Sequence, residues 1–78
     1  MLNKKEEIEK WLNKYEIKNF LINDDLTVDV DGDVNLDEKE LVEFPFQFGI
    51  INGDFNCRNN ELKSLKNCPE IINGNFYC

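Results

Sequence analysis

Three stretches of the chain are versions of one another, and each begins 21 residues after the last. They are Val30-Asp31-Gly32-Asp33-Val34-Asn35-Leu36, Ile51-Asn52-Gly53-Asp54-Phe55-Asn56-Cys57 and Ile72-Asn73-Gly74-Asn75-Phe76-Tyr77-Cys78. The residues between them align as well: Glu40 falls on Glu61, Leu41 on Leu62, Phe44 on Leu65 and Ile50 on Ile71. A fixed period of this length marks an architecture in which each unit hides its neighbour's apolar side. The expected fold is α+β in content and a short solenoid in form, made of an N-terminal capping helix, an acidic β-hairpin and two to three repeat units with short parallel strands. The chain reads as a single domain, 1–78, with the capping helix in 1–19, the hairpin in 20–36 and the repeats in 30–78, starting at 30, 51 and 72 with the last incomplete.

Residues 4–16 carry the helix. Ile8, Trp11, Leu12 and Tyr15 fall at i, i+3, i+4 and i+7 and so share one face. Asn3 stands where its side chain would cap the first turn, with Glu6 three residues on. Such a stripe suits a partner or membrane helix. It equally suits a lid over the first repeat, which a stack of this kind requires at its end.

After the helix the period shortens. Phe20 and Ile22 alternate as in a strand, and Asn23-Asp24-Asp25 is a turn signal. Leu26, Val28 and Val30 alternate with Thr27, Asp29 and Asp31, which sends valines inward and carboxylates outward. Asp31-Gly32-Asp33 is expected to reverse the chain, so that Val34 and Leu36 return alongside as the second arm. The segment has the length of a calcium loop, with Asp29, Asp31, Gly32 and Glu38 at matching places. Thr27 stands where the first aspartate belongs, and a strand enters where a helix should. A specific calcium site is not expected, and neither is any other metal or cofactor.

The net charge of −7 is concentrated. Residues 24–43 carry nine acids and one lysine, whereas the flanking segments are close to neutral. Such a patch repels nucleic acid and anionic membrane and favours basic protein partners, or else it only solubilises. There is no histidine, which removes the commonest general base and metal ligand. Cys57, Cys68 and Cys78 match no zinc spacing, have no histidine partner and form an odd set. They read as reduced thiols in a cytoplasmic protein. An enzyme is not expected.

Phe55-Asn56-Cys57-Arg58-Asn59-Asn60-Glu61-Leu62 resembles the leucine-rich-repeat form LxLxxNxL, and Leu65, Cys68 and Pro69 continue its spacing. The whole chain is similar to the start of repeat proteins of bacteriophages and bacteria that open with a helix and an acidic strand pair. The resemblance implies two to three leucine-rich-repeat-like coils. In them Phe55, Cys57, Leu62 and Leu65 fill the core, Asp54, Asn56 and Arg58 face the concave surface, and Asn60 turns inward to bond backbone. Lys39 replaces that asparagine in the first copy. Phe44, Phe46 and Phe48 lie close together and read as core between cap and repeat rather than as a binding hot spot. The third copy stops short of its asparagine and leucine, leaving an edge strand at Asn73, Asn75, Phe76 and Tyr77 where two copies could pair as a homodimer.

Two functions follow. The first is a non-catalytic protein-protein interaction module, which the resemblance places in a phage setting, binding through Asp54, Asn56, Arg58 and Asn75. The alternative is a small acidic phage counter-defence inhibitor that mimics nucleic acid and blocks a basic groove on a host protein through Asp29, Asp31 and Asp33. Direct binding to nucleic acid or membrane is expected of neither.

Overall fold

The computed structural model describes residues 2–78. One helix, α1 (Lys5–Lys14), precedes seven short strands: β1 (Phe20–Ile22), β2 (Val28–Val30), β3 (Val34–Asn35), β4 (Phe48–Ile51), β5 (Phe55–Asn56), β6 (Ile71–Ile72) and β7 (Phe76–Tyr77). They form two sheets, ordered β1-β2-β4-β6 and β3-β5-β7. Among the described residues only β1 and β2 pair antiparallel, and the other pairings are parallel. Most parallel partners stand one repeat apart: Val30 faces Ile51 and Ile51 faces Ile72 in one sheet, while Val34 faces Phe55 and Phe55 faces Phe76 in the other.

The hairpin forms, but with different arms from those expected. β1 pairs with β2, Phe20 opposite Val30, around a turn at residues 23–27. Asp31-Gly32-Asp33 does not fold β3 back onto β2; it carries the chain across to the second sheet. Inward valines at alternate positions suit a reversal and a corner equally. The corner wins because it lets both arms pair with the next copy of the repeat, whereas a reversal would strand them together. The same crossing recurs at Asn52-Gly53-Asp54, between β4 and β5, and at Asn73-Gly74-Asn75, between β6 and β7.

These corners stack closely enough to fix their glycines. A Cβ on Gly53 would lie 2.7 Å from the Gly32 carbonyl oxygen, and one on Gly74 would lie 2.5 Å from that of Gly53. No side chain fits between peptides in that contact.

Helix α1 spans a slightly shorter run than its apolar period. Asn3 does not cap it: the N-cap is Lys4, without a side-chain bond, and Lys4 O accepts the N–H groups of Glu7 and Ile8. At the other end Glu16 takes a left-handed conformation, φ 58°, so that Ile17 N–H donates to Leu12 O and Glu16 N–H to Asn13 O. This crossed pair of bonds closes the helix in the way a C-terminal glycine usually does. It turns Ile17 inward beside Ile8 and Leu12.

The core runs from α1 through the first two copies of the repeat: Ile8, Leu12, Val28, Val30, Val34, Leu36, Phe44, Phe46, Phe48, Ile51, Phe55 and Cys57 are buried in one cluster. The aromatic group at its centre is packed edge to face, with Phe44 5.8 Å from Phe48, Phe48 5.2 Å from Phe55 and Trp11 of α1 5.2 Å from Phe46. Leu65, expected in the core with Leu62, is exposed instead, and Leu62 is only partly buried. Both lie in the part of the second copy, after β5, that has no equivalent stretch stacked on its far side among the described residues.

Candidate functional site

The outward side of the β3-β5-β7 sheet is a shallow groove lined by Asp33, Asn35, Asp54, Asn56, Arg58 and Tyr77. A second hollow continues it toward the end of α1, past Lys14, Tyr15, Glu16 and Lys39, and shares Asp33 and Asn35 with the first. Local bonds hold its amide side chains. Asn35 Oδ1 accepts the N–H of Asp37, and Asn56 Oδ1 accepts the N–H of Arg58, the same two-residue turn one repeat later. Arg58 lays its guanidinium 4.2 Å from the centre of the Tyr77 ring, which fixes the groove's largest cation against its largest ring.

Asn60 behaves as its place amid apolar residues implies. Its Oδ1 accepts the N–H groups of Lys39 and Leu41, each at 3.0 Å. Its Nδ2 donates to the carbonyls of Leu36, Cys57 and Arg58. The first copy therefore lacks an asparagine of its own at Lys39 without losing the backbone bonding, because Asn60 of the next copy reaches across.

The aspartates do not form one carboxylate face. Asp33 Oδ1 accepts the N–H of Asp54, and Asp54 Oδ1 accepts the N–H of Asn75, both at 2.8 Å and both 21 residues on. Asp29, on the opposite sheet, accepts the N–H of Ile50 through Oδ1 and the side-chain amide of Asn23 through Oδ2. Asp31 is exposed at the corner, where its backbone N–H donates to Asn19 O. Asp29 and Asp33, read as part of an outward acidic face, thus tie one copy of the repeat to the next, and Asp54 of the groove does the same. The aspartates spread over two sheets and a corner and form no cage.

Asn73 donates its side-chain amide to Asn52 Oδ1 at 2.8 Å, and Asn75, Phe76 and Tyr77 lie on the outermost strand or its approach. Of the expected groove residues, Asp54, Asn56 and Arg58 come together, and Asn75 sits at the margin. Tyr77, expected at a pairing edge, and Lys39, expected in the asparagine's place, instead line these hollows, together with Asn35 and Lys14, for which the sequence reading names no site role. The signal that finds Asn35 and Tyr77 is their position one repeat to either side of Asn56. Leu21, Ile50 and Ile71 are exposed on the outer face of the four-stranded sheet, a row visible only once β1 is known to pair with β2.

Two groups titrate away from their ordinary range. Asp25 is held low because the Thr27 hydroxyl and backbone N–H both donate to it. Burial, then the hydrogen bond with the Cys78 thiol, pushes Cys57 up to about 12, which keeps it a thiol and a poor nucleophile. Among the described residues no group of three or more side chains is arranged to hold a metal ion, and no helix is long and apolar enough to cross a membrane. Comparison with protein-family models, curated proteins and solved structures gives no match.

Proposed function

We propose that the chain is a non-catalytic protein-binding module, a short solenoid of leucine-rich-repeat type with α1 as its lid. The observation that carries the reading is the groove on the β3-β5-β7 sheet. Asn35, Asn56 and Tyr77 stand one above another at the repeat spacing, and Arg58 lies across the last. Tyrosine and arginine are the residues most often found at the energetic centre of protein interfaces. Here the polar side chains are already held by bonds to their own backbone, so binding orders little that is not ordered beforehand. A protein surface is the partner such a groove suits.

The test is a pull-down from a bacterial lysate with mass spectrometry, using the chain and its Arg58→Glu and Tyr77→Ala variants. A partner kept by the parent chain and lost by both variants, with circular dichroism unchanged, is the expected result. Equal capture by all three would refute the groove.

The acidic inhibitor is the second reading, and one observation favours it: Asp24, Asp31, Glu38, Glu40 and Glu43 are all exposed. Salt separates the two. Binding through those carboxylates weakens steeply as salt screens them, whereas binding through the groove responds little. Either mode of action suits a reducing cytoplasm, where the three thiols stay free.

A further inference from the structure

Two of the three thiols stand opposite one another. β5 and β7 pair in parallel, Phe55 facing Phe76 and Asn56 facing Tyr77. One step on, Cys57 N–H donates to Tyr77 O at 2.8 Å, so the register continues and sets Cys57 beside Cys78. Cys57 Sγ also donates to Tyr77 O, at 3.4 Å, which turns that sulfur toward the neighbouring strand. Residues in register on parallel strands point to the same side, and the two thiols are hydrogen-bonded to each other. Paired strands run about 4.8 Å apart, inside the roughly 4.4–6.8 Å between Cα atoms that a disulfide spans. Both cysteines lie just past the last residues of their strands, where the spacing is free to tighten for an S–S bond. Cys68 lies outside this ladder, in the connection from β5 to β6.

The two thiols differ in the way a stepwise closure needs. Cys78 is exposed, whereas Cys57 is 2% exposed. Burial first, then the bond with Cys78, keeps Cys57 a neutral thiol, pushed up to about 12. Cys78 is therefore the thiol that meets an oxidant in solution, and Cys57 resolves what forms there.

We propose that Cys57 and Cys78 are a redox-active pair that closes into a disulfide across β5 and β7, with a small disulfide such as oxidised glutathione as the oxidant. The Cys78 thiolate attacks one sulfur of the oxidant, the oxidant's S–S bond breaks, and one glutathione leaves as thiolate. Cys57 then gives its proton to solvent and attacks Cys78 Sγ, expelling the second glutathione. Two protein thiols are oxidised, one small disulfide is reduced to two thiols, and the two released protons go to them. The closed bond resists reduction at either sulfur. Cys57 Sγ is covered, and attack on Cys78 Sγ must expel Cys57, a poor leaving group. Arg58 follows Cys57 and Tyr77 precedes Cys78, so closure also ties together the strands that hold the groove's cation and ring. The pair does not depend on the groove, and either stands if the other fails.

The test incubates the chain with oxidised glutathione at neutral pH, alkylates the remaining thiols and maps the bonds by proteolysis and mass spectrometry. The folded chain should lose the mass of two hydrogens and keep one alkylated thiol, Cys68. Chain length favours the opposite outcome. Cys57 and Cys78 are 21 residues apart, against 11 for Cys57 and Cys68 and 10 for Cys68 and Cys78. In a random chain each shorter loop therefore closes about threefold more readily. The same incubation in urea should shift the bond to those shorter loops. Cys68→Ala should close as the parent does, and Cys57→Ala should stop at one glutathione on Cys78. A folded parent chain that holds glutathione on Cys78 without closing, pairs Cys68, links to a second chain or stays reduced overturns the proposal. So does a share of the Cys57–Cys78 bond that urea leaves unchanged.

Discussion

Asn60 meets two backbone donors and three acceptors at the junction of two copies. Asn60→Leu leaves those groups without partners and should cost about 2–4 kcal/mol, read from the midpoint of urea unfolding. Asp33 makes a subtler case. If its role is to accept the Asp54 N–H, then Asp33→Asn keeps stability within about 0.5 kcal/mol while Asp33→Ala loses about 1 kcal/mol. A charge-based role would make the two variants lose alike, since both are neutral. Cys57 gives a pH signature. Its folded pKa, about 12, stands above the ordinary value of 9.0, so its neutral form favours the fold below about pH 9 and that contribution fades as pH climbs toward 12. Cys57→Ala should remove that part of the alkaline decline in thermal midpoint and leave the rest. Asn60 was legible in the sequence because a lone polar residue amid apolar ones needs internal partners. Asp29, Asp33 and Asp54 were not. A carboxylate bonded to backbone and one in water look alike in composition, and only the recurrence of an acid or amide at 33, 54 and 75 hints at the difference.

At the scale of elements, the helix and the corners each rest on one backbone conformation. Glu16 holds a left-handed φ of 58° that glycine adopts without strain, so Glu16→Gly should stabilise the chain by about 0.5–1 kcal/mol in urea unfolding. The opposite holds at Gly53, where φ is not the issue and space is. Gly53→Ala pushes a methyl into the Gly32 peptide and should cost about 1–3 kcal/mol, a large share of what a domain this small has. The apolar period located α1 to within two residues at either end, because a helix face is set by side chains alone. The hairpin was placed on the wrong arms because alternation records which side chains turn inward and not which strand lies beside them. That choice belongs to pairing with a copy 21 residues away.

For the whole molecule, the repeat dictates where everything sits. It brings Val34, Phe55 and Phe76 side by side, aligns Asn35 with Asn56 and Tyr77 to make the groove, and lays each corner glycine on the one before. The helix with Trp11 over Phe46 and Phe48 covers one end of the aromatic core, and the other end thins out through Leu65 and Phe76. Parallel stacking at this spacing is thus the claim on which the groove and the stability predictions depend. Interstrand amide NOEs test it most directly. Cross-peaks linking the neighbourhood of Val34 with that of Phe55, and Phe55 with Phe76, are the predicted result. Cross-peaks pairing the strand of Val30 with that of Val34 across Asp31-Gly32-Asp33, without the longer-range set, would contradict it.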